Sequence, residues 1–174
     1  MKTIYFAKMH KDAKIPTKRD EDAGRDVYAC FDEDYMEIPS GMTTLVPTKI
    51  CSAFDKKYYA QFEGRGSTGT KAMVQHCGVM DSGYRGEWMV PIGNYTGRPM
   101  YISKLENSEL KACLNMCGKS ITGAIVYPYS KAICQAVFHI VPELKEEEIS
   151  YEELMSMESE LRYRDWETDR KSVV

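Results

Sequence analysis

An acid, an aromatic and a cation crowd into the segment GVMDSGYRGEW (78–88): Asp81, Tyr84 and Arg85. Its Asp-Ser-Gly core between short apolar residues predicts a β-hairpin. A carboxylate at such a tip could activate a water, and the tyrosine ring could offer a flat face to a sugar or base. The plainer reading is a turn aspartate beside a tyrosine that packs on the sheet. Three other stretches carry candidates. EGRGSTGTK (63–71) combines glycines, hydroxyls and two cations, a mixture that suits phosphate oxygens. It does not match the Walker A spacing, and a flexible Gly/Ser loop is the alternative. In DAGRDVYA (22–29), Gly24 permits a sharp turn and sets Asp26 at a strand start, where it could also simply bond its own backbone. YPYSKAICQAVFHIVP (127–142) reads as a strand with one polar side chain, Gln135, in apolar surroundings. A buried glutamine must find partners, either in the core or on a ligand.

Positioning these residues falls to short strands. TIYFAKM, DVYACF, TTLVPTKI, YYAQFE, AIVYPY and CQAVFHIVP are rich in Val, Ile, Tyr and Phe and are punctuated by Gly, Pro, Asp and Ser. Runs this short and this often broken predict a sandwich or barrel. Helical periodicity is expected only after residue 145, in KEEEISYEELMSMESELR. There Ser150 and Glu153 match a capping box, and Leu154, Met157 and Leu161 share a face. Residues 95–123 read as an extra hairpin or irregular excursion.

The chain has 174 residues, enough for one sizeable core. A net charge of −3 gives no strong field for nucleic acid or an anionic membrane. No apolar run reaches the roughly 18 residues that a membrane span needs. The N-terminal MKTIYFAKMHKD lacks the apolar centre of a signal peptide and reads as a strand, so a cytoplasmic location is expected. The six cysteines contain no CxxC pair and read as reduced core residues rather than zinc ligands.

Taken in order, the four stretches resemble the first four motifs of the trimeric dUTPases. AGRDVYA resembles their AGxDLxA, GRGSTGTK their RSSxxxK-type loop, GVMDSGYRGEW their GVIDxxYRGE hairpin, and KAICQAVF their RIAQLIF. The resemblance covers roughly residues 3–142. It implies an all-β, jelly-roll-type barrel (the dUTPase-like β-clip) over 1–145, with a helical arm at 146–162. It implies hydrolysis of dUTP to dUMP and pyrophosphate by a homotrimer whose sites are each built from more than one chain. Asp81 would orient and deprotonate the water that attacks the α-phosphorus. Tyr84 would lie against the deoxyribose and exclude a 2′-hydroxyl. Main-chain groups near Gly78 and Met89 would read uracil. Arg65, Ser67 and the N–H groups of Gly66 to Thr68 would hold phosphates, and Gln135 would bond near the α-phosphate. Asp26 would hold, through water, the Mg²⁺ that the triphosphate chelates. For Arg85 a structural ion pair is as compatible as substrate contact.

The chain departs from the family in two places. The family has a serine directly after the motif arginine; here that position is Gly66, and Ser67 follows one place later, facing a different oxygen. The Gly-rich closing arm, close to RGxxGFGSTG, has no counterpart, since no glycine follows Gly123. Residues 163–174 are therefore expected to be a disordered or non-native tail, and turnover is expected to be impaired. Two other functions remain open: a catalytically weak trimeric module that binds nucleotide or protein, with 95–123 as docking surface, and a dCTP deaminase, which shares the fold.

Overall fold

The computed structural model describes residues 3–76 and 78–157. The chain divides into two compact units, Met1–Val141 and Pro142–Val174. In the first unit β1 (Tyr5–Lys8), β2 (Gly24–Tyr28), β3 (Tyr35–Ile38), β4 (Thr43–Val46), β5 (Ile50–Ala53) and β6 (Tyr58–Glu63) precede a short helical turn, α1 (Gly66–Gly69). There follow β7 (Met73–Gln75), β8 (Val79–Asp81), β9 (Val90–Asn94), β10 (Met100–Ser103), α2 (Asn107–Met116), β11 (Ile125–Pro128) and β12 (Ala132–Ile140). The second unit carries α3 (Tyr151–Ser156).

The all-β, jelly-roll-type reading holds, as four small sheets rather than one continuous ring. Their strand orders are β1-β5, β11-β10-β3, β2-β12-β6-β8 and β4-β9-β7. All six expected strand segments contain strands. TTLVPTKI holds two, β4 and the start of β5, because Pro47 offers no N–H to continue a ladder. The core sits between the sheets around Trp88, which is fully buried. Phe6 and Phe62 meet its ring edge-on at 5.5 and 5.4 Å, a favoured aromatic geometry. Its Nε1–H donates to Ser52 Oγ at 3.1 Å, so the polar end of the largest core side chain is satisfied.

Three expectations need correction. First, 78–88 is not a two-stranded hairpin. The turn exists, with Tyr84 N–H donating to the Asp81 carbonyl at 3.1 Å. But β8 pairs with β6 while β9 pairs with β4 and β7, so the loop crosses from one sheet to another. Second, residues 95–123 contain β10 and the helix α2, not a hairpin. Leu110 and Leu114, one helical turn apart, are fully buried with Tyr101 in a small separate core. β10 runs antiparallel to β3 and parallel to β11. Third, α3 is shorter than expected. Ser150 Oγ accepts the Glu153 N–H at 3.1 Å, as the capping signal requires. Residues 145–149 are not helical, no residue of α3 is buried, and the rest of the expected arm and the tail at 163–174 lie outside the described residues.

Candidate functional site

Two cavities gather the candidate residues. The larger, about 760 Å³, is lined by Asp26, Arg65, Gly66, Ser67 and Gln135 together with Thr17, Lys18, Arg19 and Asp22. The smaller, about 180 Å³, is lined by Val79, Met80, Asp81, Tyr84, Glu87 and Met89.

In the larger cavity, strand register does the assembling. Gln135 stands opposite Asp26 on β2 and opposite Glu63 on β6, which brings the first, second and fourth stretches to one end of the sheet. Arg65 follows β6 directly and is the hub. Its Nε lies 2.8 Å from Asp26 Oδ1, and its Nη2 donates to Asp26 Oδ2 at 3.2 Å. Its Nη1 donates to Ser67 Oγ and to the Ala132 carbonyl, each at 3.2 Å. This two-pronged ion pair fixes both charges while leaving them about a third exposed or less, at 27% and 34%. Gln135 is half-buried; its Nε2 donates to the Gly64 carbonyl at 2.9 Å. Its Oε1 lies over Gly24, where an added Cβ would come within 2.4 Å of it. Gly24 therefore serves close approach by Gln135, not a sharp turn: its φ is not positive and it already belongs to β2.

The α1 turn divides the expected phosphate donors. Thr68 is buried and its hydroxyl is engaged, accepting the Arg65 N–H at 3.1 Å and donating to the Arg65 carbonyl at 2.9 Å. The Thr68 N–H also donates to that carbonyl. Gly66 and Ser67, the first two residues of the turn, have N–H groups with no carbonyl to reach inside it. Ser67 is exposed on the cavity wall. Beneath the site, burial pushes the Cys134 and Tyr127 ionisations upward, so both stay neutral. Tyr127 spends its hydroxyl on the Ala132 carbonyl at 2.6 Å.

The smaller cavity is built differently. Asp81 is exposed at the end of edge strand β8, and among the described residues its carboxylate has no hydrogen-bonding or ionic partner. Tyr84 folds back over Gly86, where an added Cβ would lie 2.4 Å from its hydroxyl; the ring needs that glycine. Gly78 has φ +127°, and an added Cβ would meet Phe62 at 2.8 Å. Its carbonyl accepts the Phe62 N–H at 2.9 Å, and Met89 N–H turns back to the Glu87 carbonyl at 3.0 Å.

Sequence reasoning left open what holds this loop, and the answer is its own arginine and glutamate. Arg85 makes no ion pair among the described residues. Its Nη1 donates to the carbonyls of Ser82, Tyr84 and Ser52 at 2.6, 3.1 and 3.3 Å, stitching the loop to β5. Glu87 Oε1 accepts the N–H groups of Thr48 and Lys49 at 3.1 and 2.9 Å, and Oε2 lies 3.4 Å from Lys49 Nζ. That carboxylate stabilises a left-handed Lys49, φ 54°. Both residues were visible in YRGE, but the Glu87 partners and the Ser52 carbonyl that ties Arg85 to β5 lie more than thirty positions away in sequence.

Register also fixes how far apart the two sets are. Asp81 pairs with Tyr59 on β6, and Gln135 pairs with Glu63 on that strand, so they differ by four residues along it and by two strands across. That is about 13 Å along and about 10 Å across, near 16 Å in all. At that backbone separation the Asp81 and Gln135 side chains of one chain do not meet.

Asp26 is the candidate metal holder. No group of three or more His, Cys, Asp or Glu among the described residues could hold a metal ion. One carboxylate already bridged to a guanidinium does not make a resident cation site. It does fit the outer shell of a hydrated Mg²⁺ carried by a ligand's own phosphates, since that ion keeps most of its waters. No helix among the described residues is long and apolar enough to cross a membrane.

The chain is predominantly antiparallel and jelly-roll-type, with a guanidinium-centred polar cavity and a separate acid-and-aromatic loop. The family model for dUTPase matches residues 11–107, over half of the chain, and the chain belongs to the dUTPase family. It is 32% identical over 95 residues to the deoxyuridine 5′-triphosphate nucleotidohydrolase of Leptospira interrogans, covering 52% of this chain and 65% of that protein. It is 34% identical over 88 residues to that of Polynucleobacter asymbioticus, covering 48% and 58%. The chain thus spans less than two thirds of these relatives. Among solved structures, a mutant dUTPase of Staphylococcus bacteriophage 80alpha with dUpNHpp superposes with a TM-score of 0.61 at 18% identity, covering 86% of this chain and 90% of that one. The family match ends at residue 107, so β11, β12 and Gln135 lie beyond it; the fold alone brings Gln135 beside Asp26.

Proposed function

We propose that this chain hydrolyses dUTP to dUMP and pyrophosphate as a homotrimer, each site joining the large cavity of one copy to the 78–89 loop of another. The observation that carries the reading is the spacing of the two half-sites. Asp26, Arg65, Ser67 and Gln135 converge on one cavity, while Asp81, by strand register about 16 Å from Gln135, lines a second one with Tyr84. Separately, neither half has both a phosphate cradle and a base. The phage dUTPase bound to dUpNHpp, a deoxyuridine triphosphate analogue, lends support.

In this reading Arg65, the Ser67 hydroxyl and the N–H groups of Gly66 and Ser67 hold phosphate oxygens, and Gln135 orients the α-phosphate. The Arg65 fork is already locked by Asp26, so little side-chain freedom is lost on binding. Asp81 of the facing copy holds the attacking water and takes its proton as the bond to phosphorus forms; pyrophosphate leaves with the bond it breaks. A carboxylate without competing partners is free to do this. Tyr84 packs on the sugar and leaves no room for a 2′-hydroxyl. Mg²⁺, held through water by Asp26, would neutralise triphosphate charge. The test is pyrophosphate release from dUTP, dCTP and UTP by the full chain and by Asp81→Asn. The reading expects dUTP to be preferred and Asp81→Asn to lower kcat by about 10²–10⁴-fold with the analogue still bound. Equal release from dCTP, or an unaffected Asp81→Asn, would refute it.

A further inference from the structure

The large cavity is lined in part by Thr17, Lys18 and Arg19, which the four motifs do not account for. They belong to the loop 17–24 that leads into β2. Its neck is closed by paired backbone bonds: Thr17 N–H to the Asp26 carbonyl at 3.1 Å, and Asp26 N–H to the Thr17 carbonyl at 2.6 Å. Inside the loop, Asp22 is saturated by Arg19. Its Oδ2 accepts from Arg19 N and Nε at 3.0 and 3.2 Å, and its Oδ1 accepts from Nη2 at 3.2 Å. Arg19 in turn holds the Asp22 carboxyl below the usual carboxylate range.

That pairing leaves Lys18 over. Its Nζ donates only to the neutral Asp22 carbonyl, at 2.7 Å, and among the described residues no carboxylate lies within ion-pair distance of it. The cavity lining carries three cations, Lys18, Arg19 and Arg65, against two anions, Asp22 and Asp26. Arg19 pairs with Asp22 and Arg65 with Asp26, so the remaining charge is that of Lys18. An ammonium on a flexible stem, anchored to one carbonyl in the lining of the cavity that also holds Arg65 and Ser67, can turn onto a phosphate without breaking an ion pair.

We infer that Lys18 binds the phosphates distal to the cleaved bond, the pyrophosphate that leaves. Arg65 and Ser67 take the near side of the chain, and Lys18 meets the leaving pyrophosphate, which takes the electron pair of the broken Pα–O bond and gains negative charge. This rests on the triphosphate reading above and deepens it. The loop would then grade ligands by phosphate number: a monophosphate ends before reaching Lys18, and a triphosphate does not.

Calorimetry on the full chain tests this with three probes: a non-hydrolysable dUTP analogue, dUMP and inorganic tripolyphosphate. Lys18→Gln should weaken the analogue and tripolyphosphate by about tenfold, the usual worth of one charge-assisted bond. It should change dUMP by less than twofold, and Lys18→Arg should restore most of the loss. Unchanged binding of all three probes by Lys18→Gln overturns the inference. An equal loss for dUMP and the analogue also overturns it, because the loop would then act by shape. If the unaltered chain binds tripolyphosphate but no deoxyuridine ligand, the dUTP reading fails on its own. The Lys18 subsite then stands or falls by whether Lys18→Gln weakens tripolyphosphate.

Discussion

The two candidate half-sites are held together in opposite ways. Around Arg65 the functional side chains hold one another: the guanidinium grips Asp26, Ser67 and a β12 carbonyl, and Gln135 is packed onto Gly24. Around Asp81 the candidate carboxylate is left alone, and Tyr84 bonds only within its own loop, its hydroxyl donating to the Glu87 carbonyl at 3.3 Å. Non-functional neighbours fix the backbone instead: Arg85 on three carbonyls, Glu87 on the β4–β5 turn, Trp88 in the core. A site that must grip a polyanion gains from pre-paired charges that need no reordering. A general base gains from having no partner, because each hydrogen bond to its charged form would make it a weaker acceptor.

The sharpest way to break this comparison is to separate the halves genetically. Asp81→Asn and Arg65→Ala should each lower dUTP turnover by about 10²-fold or more. Refolded together in equal amounts, random pairing of copies should restore roughly a quarter of the unaltered rate. No recovery in a pyrophosphate-release assay would place both halves of a working site in one chain.

Next in size is a pair of glycine changes. Gly78→Ala puts a Cβ against Phe62 at φ +127° and should cost about 2–3 kcal/mol in urea unfolding. Gly24→Ala meets the end of a glutamine side chain that can swing away. It should cost less than about 1 kcal/mol yet weaken analogue binding as much as Gln135→Ala does. Equal stability losses would show that Gly24 is structural after all.

Glu87→Gln keeps an acceptor but loses charge toward two N–H groups and Lys49. It should lower stability by about 1–2 kcal/mol and reduce kcat more than it weakens phosphate binding, since only the Asp81 loop shifts. An equal fall in tripolyphosphate affinity would argue that the two half-sites are mechanically coupled.

The smallest effect is alkaline. Burial pushes the Tyr129 hydroxyl up to about 12, against an ordinary value near 10. The raised value favours the folded state's neutral phenol. Stability is therefore whole below pH of about 10 and is lost as pH rises toward about 12. Tyr129→Phe should flatten that slope in a denaturation series, with phosphate binding at neutral pH unchanged.

Most strands were legible because their β-branched and aromatic runs are bounded by turn residues, as in YYAQFE, which is β6 residue for residue. The stretch 95–123 was not. β10 is buried at all four residues and shows no alternation, and α2 shows the core only Leu110 and Leu114, too few to set a helical period. At the site, residue types pointed to phosphate and base chemistry, but pairings did not show. Arg65 and Asp26 are thirty-nine positions apart, and nothing near Gly24 hints that a glutamine lies on it. The hairpin expectation failed for a related reason: a turn signal says that the chain bends, not which strand it joins next.

The parallel pairing of β10 with β11 sets a limit on engineering this molecule. Strands that run the same way cannot be linked by a tight bend, so the chain must be ferried back to its starting edge. α2, ten residues and about 15 Å long, makes that return journey beside a strand of about 13 Å. The segment can be extended where it is exposed, but trimming it below the ferry length would force β11 to reverse, and β12 with its glutamine would enter the sheet from the wrong end.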